Sequence, residues 1–136
     1  MQREVEEKSR YAVVAAVQLP SVSVSEFEAS LSELRELAKT LGYEVVRTFV
    51  QKRSNFDKTA YLGVGKRQEI RNFMNNEPTE FEEIVANPHS WDIDTILVDH
   101  EISPSQARNL EKEAGCEVMD RTMVILEIFH RNARSR

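Results

Sequence analysis

The chain has 136 residues, 40% hydrophobic and 30% charged, with a net charge of −5 and a single cysteine. That length suits one globular domain, able to bury about two-thirds of its unfolded surface. The negative balance argues against nucleic acid wrapping the whole surface, and one thiol, Cys116, excludes an internal disulfide. No apolar run approaches the length of a membrane span, and the first ten residues lack the apolar core of a signal peptide. Together with the lone thiol this leads us to expect a cytoplasmic protein.

Residues 1–10 are charged and read as a lead-in; residues 11–136 read as one α/β domain. Tyr11–Leu19 (YAVVAAVQL) is nearly continuous in apolar residues, as a central strand requires. Pro20 stops it, and Ser25 with Glu28 three positions on can form a capping box. Phe27, Leu31, Leu34, Leu37, Ala38 and Leu41 then fall on one helical face, and Gly42 ends the helix. Tyr43–Val50 reads as a second strand, Gln51–Lys58 as a mobile polar loop and Thr59–Leu62 as a short strand. Gly63-Val64-Gly65-Lys66 leads into a helix from about Arg67 to Asn75.

Residues 76–93 carry Pro78, Pro88, acidic residues and Trp91; Phe81–Val85 suits one helical turn, and Trp91 suits an anchor to the body. Thr95–Val98 is a strand rich in β-branched residues. Ser103-Pro104-Ser105-Gln106 combines a cap, a proline at the first helical position and a capping box, and Gly115 closes that helix. Cys116–Met119 reads as a strand holding a buried, inert thiol. From Asp120, Val124, Ile125, Ile128 and Phe129 mark one face of a last helix. Alternating strands and helices predict an open, mainly parallel sheet of four to five strands with helices on both faces.

The phosphate-cradling string G-x-x-x-x-G-K-[ST] is absent, as is Asn-Lys-x-Asp for reading guanine. Gly63-Val64-Gly65-Lys66 has two readings: a tight turn whose glycines supply positive φ with Lys66 solvated, or an anion contact at a helix start. His89, His100 and His130 share no ligand spacing, so no metal is expected.

Charge is unevenly distributed. Residues 51–71 carry Lys52, Arg53, Lys58, Lys66, Arg67 and Arg71 against Asp57 and Glu69, a local charge of +4. Arg121, Arg131, Arg134 and Arg136 face only Glu127 in the last helix, whereas residues 72–107 hold eight acidic residues and no lysine or arginine. A basic side able to meet RNA phosphate is one reading and a solvated charge run the other. Arginines late in a helix also suit its dipole. Asp99 and Asp120 end successive strands, where open parallel sheets place a ligand crevice. There a helix cap and ion pair at Asp120–Arg121 competes with a nucleotide or Mg²⁺ site built from Asp99, Asp120 and Lys66.

Three strings carry a resemblance: Tyr61–Glu69 (YLGVGKRQE), Asp99–Glu111 (DHEISPSQARNLE) and Asp120–Arg134 (DRTMVILEIFHRNAR). Together, over roughly Val13–Arg136, they resemble the N-terminal domain of the HflX family of ribosome-associated GTPases. Met123 and Glu127 depart from that family's usual residues, as does the insertion at 77–93. The resemblance implies that GTP and Mg²⁺ are held by a domain outside these residues and that the chain itself performs no chemistry. It implies docking on the large ribosomal subunit and its rRNA. It also implies contact with the protein's own GTPase domain and a helical arm. On this reading the contacts with RNA phosphate fall to Lys52, Arg53, Gly63, Gly65, Lys66, Arg67, Arg121, Arg131 and Arg134. The apolar face of the last helix then meets the arm, or pairs two copies of the isolated domain. Two alternatives stand beside it: a small module binding ATP near Lys66 and Asp120, and a purely structural interaction domain.

Overall fold

A computed structural model describes residues 10–75 and 91–134. The sheet has four strands, all parallel, in the order β2-β1-β3-β4. In chain order they are β1 (Arg10–Gln18), β2 (Tyr43–Lys52), β3 (Ile93–Val98) and β4 (Glu117–Asp120). The helices are α1 (Val24–Thr40), α2 (Val64–Asn75), α3 (Pro104–Ala114) and α4 (Arg121–Arg134). The first strand made is thus central, which is why its apolar run is unbroken: each face lies under helices. Ala12, Val14 and Ala16 pack with Phe27, Leu31, Leu34 and Ala38 of α1 and Val124 of α4. Val13, Ala15 and Val17 pack on the other face with Ile70 and Phe73 of α2 and Leu110 of α3.

Helix α1 begins two residues earlier than the sequence reading. Ser23, not Ser25, is the N-cap, and Glu26 completes the capping box. Both serines have a glutamate three positions on, so the box alone does not choose between them. The earlier register also sets Val22 just before the cap and Phe27 four positions after it, both against the same core, the arrangement of a hydrophobic staple. Starting at Ser25 would place Ala29 there instead. At α3 the structure has Ser103 as cap, Gln106 closing the box, Pro104 in the first turn and Gly115 at φ 78°.

The stretch between β2 and α2 differs most from expectation. Gln51 and Lys52 belong to β2, and the fifth strand expected at 59–62 is absent. Instead Asp57 and Tyr61 exchange backbone hydrogen bonds across a tight turn, and Tyr61 itself takes the left-handed conformation at φ 72°. That corrects the tight-turn reading of the glycines, since neither Gly63 nor Gly65 has positive φ. A left-handed residue interrupts the alternation a strand needs. Helix α2 therefore starts at Val64, with Gly65 and Lys66 already in its first turn.

Cys116 precedes β4 and is half-buried; burial, with Glu111 nearby, pushes its thiol up to about 12. Among the described side chains of α4, Val124 and Ile128 face the core. Ile125 and Phe129, expected on that same face, are exposed together with Met123 and Leu126. Trp91 packs against Tyr11, with ring centroids 6.0 Å apart. The lead-in at 1–9 and the expected turn at 81–85 lie outside the described residues.

Candidate functional site

The C-terminal edge of the sheet gathers most of the candidate residues. The β1–α1 turn, the segment from Arg53 to Gly63, the β3–α3 loop and the first turns of α2 and α4 meet there. The chain fills much of this edge itself. Tyr61 is fully buried; its hydroxyl accepts from the Val17 N–H at 2.9 Å and lies 2.6 Å from Nδ1 of His100. Phe56 packs on both rings, with centroids 5.0 Å from Tyr61 and 4.7 Å from His100. Burial pushes the Tyr61 phenol well above its ordinary range and holds His100 below the usual imidazole value. In the tautomer of His100 protonated at Nε2, the phenol donates to Nδ1 while receiving the Val17 amide proton. The Tyr61 turn is fastened from α3 as well: Gln106 donates to the Asp57 carbonyl and Asn109 to that of Thr59, each at 2.9 Å.

The acidic crevice candidates have partners within the chain. Asp99 is almost wholly buried and accepts from Arg121 at 2.7 Å and from the Ser30 hydroxyl at 2.9 Å. Arg121 also pairs with Glu33 and donates to the Ser30 carbonyl. Asp120 accepts at one oxygen from the Met123 N–H, capping α4, and at the other from the Ile102 N–H, both at 3.0 Å. Lys66 pairs with Glu69, one turn along α2, at 2.9 Å. Asp99, Asp120 and Lys66, the three groups of the nucleotide or Mg²⁺ reading, thus each have a partner inside the fold. Among the described residues no group of histidine, cysteine, aspartate and glutamate is arranged to hold a metal ion.

The basic candidates divide three ways. Arg67 is structural: its side chain is almost wholly buried, reaches Glu113 at 3.1 Å and Asp57 at 3.7 Å, and donates to the Leu62 carbonyl. Asp57, which accepts from the amides of Ala60 and Thr59, is held below the usual carboxylate value chiefly by the first of these. Arg131 donates to the Leu41 carbonyl beside Glu127, and Arg134 follows it on the last turn of α4. Helix α4 runs back along the sheet, so these two arginines lie at the N-terminal edge, away from the residue 52–67 cluster. Lys52 and Lys58 remain: both are exposed, and neither has a carboxylate partner among the described residues. Arg53 sits beside them, its guanidinium donating to the Asn55 carbonyl at 2.9 Å.

Gly63 lies against the ends of two flexible side chains. A Cβ there would come within 2.5 Å of the Arg53 Nη1 and 3.1 Å of the Gln51 amide, whose oxygen accepts from the Gly63 N–H. At Gly65 a Cβ would meet nothing within 4 Å. The sequence carried no signal for the Tyr61–His100 pair or for Ser30 and Glu33 as partners of Asp99 and Arg121. These contacts join residues far apart in the chain, and Tyr61 is not a residue type that announces a left-handed turn.

A family model described as the GTP-binding GTPase N-terminal domain matches residues 28–130. GTPase HflX of Gluconacetobacter diazotrophicus is 41% identical over 147 residues, an alignment covering 92% of this chain and 33% of that protein. GTPase HflX of Caldanaerobacter subterraneus subsp. tengcongensis is 34% identical over 136 residues, covering 100% of this chain and 27% of that protein. The chain therefore spans about a third or less of the length of these relatives. Among solved structures, a GTP-binding protein from the archaeon Sulfolobus solfataricus, in complex with GDP, has 25% identity. It covers 87% of this chain and 30% of its own, with a TM-score of 0.52. The complex of SsGBP with GDP superposes with a TM-score of 0.60 over 93% of this chain and 31% of that one; at 22% identity it speaks to the fold alone.

Proposed function

The chain belongs to the HflX family of GTPases as its N-terminal domain, and from that premise we propose that it is a non-catalytic docking domain of a cytoplasmic GTP-binding protein. In this reading GTP and Mg²⁺ are held, and hydrolysis is performed, by a domain outside these 136 residues. The chain contributes contacts to the large ribosomal subunit and its rRNA. The observation that carries the reading is the pair of exposed lysines, Lys52 and Lys58, on the stretch that also carries Arg53, without carboxylate partners among the described residues. Neither lysine takes part in an ion pair among the described residues. They suit phosphate, which weakly hydrated or flexible cations neutralise by releasing counterions.

The ATP-binding alternative is the weaker one, because Asp99, Asp120 and Lys66 each already have a partner that stabilises the fold. A companion structural role is supported by the outward face of α4. Leu126 and Phe129 there are 59% and 64% exposed, and Ile125 lies beside them. An apolar stripe on a terminal helix suits the helical arm and GTPase domain of the longer protein, or a second copy of the isolated domain. Leu126→Glu should abolish either association while leaving RNA contacts intact.

Co-sedimentation with large ribosomal subunits tests the docking claim. Three phosphate contacts predict binding roughly 20- to 40-fold weaker at about 200 mM salt than at about 50 mM. Lys52→Glu with Lys58→Glu should remove most of that dependence. No binding at low salt would overturn the reading.

A further inference from the structure

Between the ends of β1 and β2 lies a cleft of about 450 Å³. One wall is the β1–α1 turn, with Leu19, Pro20 and Val22; the other is the end of β2, with Lys52, Arg53 and Ser54. We propose that this cleft receives one unpaired RNA nucleotide, its base against Leu19, Pro20 and Val22 and its phosphate on Lys52 and Arg53. The inference rests on the RNA-docking reading above and names where, and in what form, the RNA is met.

Four observations point to this ligand. No acidic residue lines the cleft, while two cations do, so the occupant is anionic. The opposite wall is apolar, so the anion carries an apolar surface beside its charge; a nucleotide has that shape, and the volume falls in the range of small-ligand sites. The walls are preorganised. The Arg53 N–H donates to the Gln18 carbonyl at 3.2 Å, the Val22 N–H to the Leu19 carbonyl at 3.1 Å, and the Gln18 amide to the Val22 carbonyl at 3.1 Å. The Arg53 guanidinium is held by the Asn55 carbonyl, so a planar cation lines the cleft in a set orientation while the exposed Lys52 stays free to adjust. A duplex cannot enter, because its bases are stacked and its phosphates alone would reach the cations.

The test is fluorescence anisotropy of the 136-residue chain with a labelled hexauridylate at low salt. The comparison probes are an abasic backbone of the same length, a blunt RNA duplex, and AMP as competitor. The expected result is binding of the hexamer, about fivefold weaker for the abasic strand and for the duplex. Pro20→Asp, which sets a carboxylate on an exposed turn position, and Lys52→Ala should each weaken the hexamer about fivefold or more, with unchanged circular dichroism. Lys58→Ala, outside the cleft, should lower the affinity for hexamer and abasic strand alike, leaving their ratio unchanged. Equal affinity for hexamer and abasic strand overturns the proposal, as does indifference to Pro20→Asp. AMP that binds where the hexamer does not makes the ligand a free nucleotide and also overturns it. Retained subunit co-sedimentation with equal strand affinities sinks the cleft alone, whereas absent co-sedimentation in the unaltered chain sinks the docking reading.

Discussion

Replacing Tyr61 with phenylalanine removes one oxygen from the most enclosed point of the C-terminal edge. The ring, its packing on Phe56 and the left-handed backbone at φ 72° are all retained, so the change isolates the hydroxyl. Val17 lies beyond the last β1–β3 pair, Ala15 with Val98. Its amide, which the next residue of β3 would otherwise have met, is taken by the phenol. Tyr61→Phe leaves that amide orphaned in the core and leaves Nδ1 of half-buried His100 without its donor. A buried orphan costs about 1–3 kcal/mol, more for the enclosed amide than for the ring nitrogen, so the sum is about 2–4 kcal/mol. For a domain of this size that lowers Tm by roughly 6–16 °C. Urea unfolding followed by far-ultraviolet circular dichroism and by the single tryptophan, Trp91, measures it, with an unchanged m value as the sign that the folded state is intact. A double-mutant cycle with His100→Leu separates the 2.6 Å contact from the amide. A loss below about 0.5 kcal/mol, or no coupling between the two positions, would refute the argument that the hydroxyl closes this edge.

Other perturbations follow from the same geometry. Asp120→Ala removes the α4 cap and the Ile102 tie together and should cost about 1–3 kcal/mol by urea titration. Gly65→Ala, in the first turn of α2 with open space around it, should be neutral or stabilise by up to about 0.5 kcal/mol, whereas Gly63→Ala requires the Arg53 guanidinium to shift. Burial holds His100 below its ordinary 6.5, where Tyr61 faces it from the turn, Asp99 from its own strand end and Arg121 from α4. The folded chain therefore takes up this proton less readily than the unfolded one. Its contribution to stability is whole above pH 6.5 and is lost as pH falls through the folded-state value. His100→Leu should flatten that part of a stability–pH curve, and an unchanged slope would contradict it.

Local chemistry was legible and distant pairing was not. At α3 the cap, proline, glutamine and terminal glycine all sit within the helix they bound, so reading Ser103–Gly115 needed nothing from elsewhere. The parallel sheet and its two helical layers followed from the alternation of strands and helices along the chain. At α1 the same local grammar was ambiguous, and only tertiary packing of Val22 and Phe27 separates Ser23 from Ser25. Tyr61 defeated a pattern reading because its conformation is imposed by Val17, His100 and Asp57, none of them adjacent to it in the chain. At the site, too, pairing went unread: Lys66 and Arg67 read as cations without named partners and Arg121 as a partner of Asp120, and in the fold Glu69, Glu113, Asp57, Glu33 and Asp99 pair with them. Lys52 and Lys58, no more conspicuous in the sequence, have no carboxylate partner among the described residues.

The central place of β1 has a consequence for biosynthesis. This strand is translated first, yet its second neighbour, β3, ends only at Val98. At about 5–20 residues per second the ribosome needs roughly 4–16 s to deliver the stretch between them. Throughout that interval one edge of the most hydrophobic strand stands unpaired outside the exit tunnel, open to chaperones and to other nascent chains. Slowing elongation across the segment before β3 should lower the soluble yield more than an equal delay after β4.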